Sequence, residues 1–78
     1  MEHRPLSEIA YEIRQDWQKV NYAAVPYLEA MSYLNQITDN YIHESGKSVV
    51  LYFLSNARTW KGDKAREIKA ELKKIAGI

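Results

Sequence analysis

The sequence predicts an all-α protein: a compact bundle of about four short helices, folded as a single domain over residues 1–78. Three observations predict it. Apolar residues recur at three- and four-residue spacing, no segment shows the alternation of a half-buried strand, and the turn-forming clusters between segments are short.

The first helix is read from Leu6, Ile9, Ala10, Ile13, Trp17 and Val20, which share one face and leave Glu8, Glu12, Arg14 and Asp16 outside it. It is expected to run from Pro5 or Leu6 to Lys19, with Asn21 as the stop. A second begins near Pro26, where a missing N–H does no harm, and continues through Tyr27, Leu28, Ala30, Met31 and Leu34. Its thin polar strip of Glu29, Ser32 and Asn35 predicts a central helix covered on several sides. Thr38, Asp39 and Asn40 then form a turn cluster.

Residues Ser48 to Leu54 are ambiguous, because six consecutive apolar or aromatic residues suit a buried strand as well as a helix. A helix is the better reading. A lone strand has no partner for its backbone groups, whereas Val50, Phe53, Leu54 and Ala57 fit one helical face. The last helix starts between Thr59 and Asp63, carries the stripe Ala65, Ile68, Leu72 and Ile75, and ends at Gly77. Trp17 and Trp60 are expected in the core or at its rim, with a lesser surface role open to Trp60.

Composition removes several functions. The absence of cysteine excludes disulfides, cysteine-ligated zinc and thiol catalysis, and agrees with a reducing cytoplasm. No run approaches the roughly 18–20 apolar residues of a membrane span, and the start Met-Glu-His-Arg-Pro has no apolar signal core, so a cytoplasmic protein without a membrane partner is expected. So short a chain leaves little room for a deep catalytic cleft.

Local motifs point the same way. Gly46-Lys47-Ser48 copies the end of a phosphate-binding loop, but position 41 is Tyr where that motif needs glycine, so it reads as a helix start. His3 and His43 belong to no metal-binding spacing. Ser45, Ser48 and Ser55 lack a nucleophile elbow. The pairs Glu8 with Glu12 and Glu67 with Glu71 read as surface carboxylates. No catalytic, cofactor-binding or metal-ligating residue is assigned, and no enzymatic activity is expected.

Charge is more informative. Residues 1–56 hold four Lys or Arg against seven Asp or Glu, while 57–78 hold seven against three, although the whole chain is only +1. On the last helix Lys69, Lys73 and Arg66 fall at about +40°, +80° and +100° from Ala65, away from the acidic strip of Asp63, Glu67 and Glu71. With Arg58, Lys61 and the side-chain-free Gly62 they make a basic stripe fit for an anion or an acidic partner. A solvated face is the plainer meaning of such a charge run. The second candidate surface is aromatic: Tyr11, Tyr22, Tyr33 and Tyr41 lie outside the core pattern, where tyrosine suits a partner or self-association contact.

The segments Pro-Leu-Ser-Glu-Ile-Ala (5–10), Ala-Val-Pro-Tyr-Leu-Glu-Ala-Met (24–31) and the run from Ser45 to Asp63 resemble a group of small uncharacterised proteins of bacterial and phage genomes. The resemblance covers most of the chain. It carries no activity or cofactor and implies a cytoplasmic accessory protein, of prophage or other mobile origin. The expected function is therefore a non-enzymatic helical module that engages a protein partner or itself. The alternative is a small nucleic-acid-binding regulator that uses the basic C-terminal helix.

Overall fold

Residues 4–42 and 44–78 are described by a computed structural model, and the readings made on His3 and His43 lie outside them. The expected all-α architecture is present. Helix α1 spans Leu6–Asp16, α2 Val25–Met31, α3 Gly46–Ser55 and α4 Asp63–Ala76. Between α2 and α3 lies an antiparallel hairpin, β1 (Asn40–Tyr41) with β2 (Glu44–Ser45), in which Asn40 faces Ser45 and Tyr41 faces Glu44. Strands of two residues are too short to print an alternation on the sequence, which is why the reading shows only a turn there.

Helix α1 stops at Asp16, earlier than the Lys19 its spacing suggests. Trp17 leaves helical geometry and turns inward, while its N–H still reaches the Ile13 carbonyl at 2.7 Å. The start of the helix is held from outside: Leu6 and Ser7 donate backbone N–H groups to the carbonyls of Asn35 and Leu34 at 2.9 and 2.8 Å. Two donors that a helix start leaves without internal partners are thereby satisfied.

Helix α2 ends at Met31, and the chain tightens into turns in which Tyr33 and Leu34 donate to the carbonyls of Ala30 and Met31. The Asp39 carboxylate then accepts the backbone N–H groups of Asn35 and Gln36 at 3.1 and 3.0 Å, giving the predicted turn cluster its mechanism. The ambiguous apolar run is a helix. Ser45 caps it by accepting the Ser48 N–H at 3.1 Å, and Val49, Val50 and Phe53 are buried.

The α4 stripe of Ala65, Ile68, Leu72 and Ile75 is buried as its spacing predicts. Gly77 closes the helix in a left-handed conformation, with its N–H on the Lys74 carbonyl and that of Ile78 on the Lys73 carbonyl. All four helices feed one hydrophobic cluster. At its centre Trp17 stacks on Trp60 with centroids 5.7 Å apart and planes 9° from parallel. Phe53 meets both edge-on at 6.2 and 6.4 Å. Trp60 is 2% exposed and donates its indole N–H to Asp16 at 2.8 Å, so the surface role left open to it is withdrawn.

One tie was invisible in sequence. Arg4 forms a two-pronged pair with Glu71 at 2.8 and 2.8 Å and also donates to Glu12, which Lys64 approaches at 3.4 Å. Glu12 and Glu71 are thus not idle surface carboxylates: through Arg4 they join the N-terminal segment, α1 and α4. The Arg4 hydrogen bond, and then its charge, hold the Glu12 carboxyl below its ordinary pKa of 4.5, with burial opposing. A carboxylate whose pKa is lower folded than unfolded stabilises the fold at pH values above the unfolded pKa. That contribution is lost as pH falls through the lowered folded value. Arg4→Met should therefore cost about 1 kcal/mol at pH 7, near the upper end for a partly exposed pair. It should also flatten the fall in melting temperature below about pH 4.5. Parallel acid-melting curves for variant and wild type would contradict this.

Candidate functional surfaces

The basic stripe begins in the turn between α3 and α4. Arg58 and Lys61 are exposed there, and Gly62, at φ 112° and ψ 177°, supplies the backbone bend that admits α4. That φ belongs to the region other residues rarely occupy, and a side chain at Gly62 would meet nothing within 4 Å. The position is open, as expected from sequence.

The structure divides the six stripe residues. Arg66 is exposed and pairs with Asp63 at 2.9 Å, a surface contact that holds neither group firmly. Lys69 folds back: its ammonium donates to the Trp60 carbonyl at 2.6 Å and sits 5.8 Å from the Trp60 ring centroid. Lys73, one turn further on, is exposed. Burial, followed by the charges of Lys73 and Lys61, depresses the Lys69 pKa. Lys61 and Lys73 therefore both act on the Lys69 ammonium as like charges.

The Gly46-Lys47-Ser48 segment is committed to packing. The Gly46 N–H donates to the Asp39 carbonyl at 2.7 Å, and a Cβ there would lie 2.6 Å from the Ile37 carbonyl oxygen. The serines have structural bonds: Ser45 caps α3, the Ser48 hydroxyl lies 3.1 Å from that of Ser45, and Ser55 donates to the Leu51 carbonyl at 3.1 Å. Among the described residues, no group of three His, Cys, Asp or Glu side chains is arranged to hold a metal, and no helix is long and apolar enough to cross a membrane.

The aromatic residues make a different surface. Helix α2 packs against α1 and α3, but it is not covered on its outer side. There Val25, Pro26, Glu29 and Tyr33 are exposed, preceded by Tyr22 at 89% exposure. Val25 and Glu29 lie four residues apart on one helical face, and the exposed Tyr33 follows in the turn just past the helix end. The thin polar strip of α2 is a thin strip in open solvent. Tyr33, 69% exposed, stacks on the half-buried Tyr41 of β1 at 5.7 Å and 19°, which carries the face onto the hairpin.

At the hairpin tip stands Ile42, 76% exposed at φ 57°. A β-branched residue in the left-handed region is strained, and such strain costs on the order of 1–3 kcal/mol. Sequence reading missed it, because a tight hairpin normally announces itself with Asn, Asp or Gly at that place. Tyr11 is exposed on α1, and a second tyrosine stack, Tyr27 on Tyr52 at 5.3 Å, joins α2 to α3.

No family model, curated protein or solved structure matches this chain. Its functional surfaces are read from their own chemistry.

Proposed function

We propose that this chain is a non-enzymatic interaction module that docks through the aromatic outer face of α2 and the hairpin, with a second copy of itself as the occupant. The observation that carries the reading is Ile42, an apolar side chain kept in a strained backbone at an exposed tip beside stacked Tyr33 and Tyr41. Strain at such a point is compensated when the presented side chain enters a contact. The surface is also large enough to matter. At ~150–250 Å² for a whole aromatic side chain, Tyr22 at 89% and Tyr33 at 69% exposure offer roughly a third of the ~800 Å² each partner gives to a standard interface. A small chain without cysteine gains stability from self-association. The cytoplasmic accessory role, in a bacterial or phage setting, belongs to this proposal and rests on the sequence likeness alone.

Sedimentation across a concentration series tests it, with reversible dimer formation expected in the micromolar range, about −8 kcal/mol. Ile42→Asn should weaken the dimer about tenfold or more while raising the stability of the monomer by about 1 kcal/mol, because asparagine tolerates the left-handed backbone. A two-fold contact places the same face on both partners, so two Glu29 carboxylates enter one interface without an added cation and Glu29→Gln should tighten the dimer. A chain that stays monomeric at millimolar concentration, or an Ile42→Asn variant that dimerises unchanged, would sink the reading.

A further inference from the structure

Around Lys69 two further cations, Lys61 and Lys73, act as like charges on its ammonium. Lys69 places its ammonium on the Trp60 carbonyl, Lys61 is the next residue along the chain from that carbonyl, and Lys73 follows Lys69 by one helical turn. Among the described residues none of the three has a carboxylate within salt-bridge distance. Of the acids on the same helix, Glu71 is held by Arg4 and Asp63 makes only an exposed pair with Arg66. Glu67 lies on the other strip of the wheel. The fold thus tolerates a local repulsion that depresses the Lys69 pKa beyond the effect of burial, and a bound anion would relieve it.

The details favour one kind of anion. Lys69 is already ordered by the Trp60 ring and carbonyl, so part of the cost of fixing a long side chain is met before binding. Lys73 stands one helical turn beyond Lys69 and is exposed, so it extends the cationic surface past the Trp60 contact. Gly62 leaves the approach free of side-chain bulk, and the exposed Arg66 can exchange its surface pair for a phosphate. Trp60 is buried, so no ring of this cluster is open for a base to stack on. Contact is limited to the backbone, which points to a duplex and not to an unstacked single strand.

We infer that Lys61, Lys69 and Lys73 form a binding site for the phosphate backbone of a nucleic-acid duplex, without sequence preference. The site is separate from the aromatic face and stands or falls independently of it.

Fluorescence anisotropy with a labelled duplex of mixed sequence, from about 50 to about 200 mM salt, tests the inference. Three lysines predict a slope of log affinity against log salt of about −3. Lys61→Gln and Lys73→Gln, both at exposed positions, should each reduce that slope by about 1 and weaken binding several-fold. Lys19→Gln and Lys47→Gln remove the same charge from other parts of the surface and should leave the slope unchanged. The inference is overturned by absence of binding at the lowest salt, or by equal losses in all four variants. It is also overturned if a labelled polyglutamate of matched charge binds as tightly as the duplex, which would mark an acidic protein as the partner.

Discussion

Trp60→Ala should cost the chain a large part of its folding stability. Removing a buried tryptophan costs about 3–5 kcal/mol in lost transfer energy and cavity formation. Here it also deletes a stacked partner of Trp17, an edge-on partner of Phe53 and the donor to Asp16. A domain of 78 residues holds about 4–12 kcal/mol in total, so the loss consumes about a quarter of the stability at the least and all or most of it at the lower end. The melting temperature should fall by about 15 °C or more. Trp60→Phe, which keeps a ring but not the indole N–H, should cost roughly 1–3 kcal/mol. Thermal melts followed by circular dichroism decide it: an Ala variant melting within a few degrees of wild type would show that this cluster does not hold the fold.

Gly46→Ala should be the next most damaging change, although alanine is intrinsically the better helix former. The reason is steric. A Cβ at Gly46 would stand 2.6 Å from the Ile37 carbonyl oxygen and 3.1 Å from that of Gln36, both backbone atoms that cannot rotate away. Shifting them disturbs the turn that Asp39 holds and the bond from the Gly46 N–H to Asp39, so a cost of about 2–3 kcal/mol is expected. Urea unfolding of the variant measures it. Equal or greater stability in Gly46→Ala would mean that the 36–39 turn yields more readily than its bonding suggests.

Helix positions with strong period were legible in the sequence because their chemistry is local. The stripe Ala65, Ile68, Leu72 and Ile75, the stop at Gly77 and the burial of Trp17 need no knowledge of partners. The 48–54 run was decided by a backbone argument, the lack of any strand to pair with, and the Ser45 cap bears that out. What sequence could not show was contact across distance. Arg4 meets Glu71 across 67 positions, and no local pattern marks that pairing. Likewise Tyr33 meets Tyr41 only because the 35–39 turn folds the chain back.

The candidate surfaces were half legible for the same reason. Periodicity found the basic stripe, but only the fold separates Lys69, bent onto Trp60, from the free Lys73 one turn away. The tyrosines were singled out by number and position. The exposed outer side of α2 was not anticipated, because a thin polar strip in sequence does not reveal whether another helix covers it. Ile42 breaks the residue preference of its turn, so a reading built on preferences passes over it.

The Trp17–Trp60 stack draws its two indoles from opposite ends of the chain, one at the exit of α1 and the other just ahead of α4. A cut in the connection between α3 and Trp60 would leave Trp17 and Phe53 in one fragment and Trp60 in the other, neither with a finished interior. A chain nicked there should keep its order only while both pieces stay assembled.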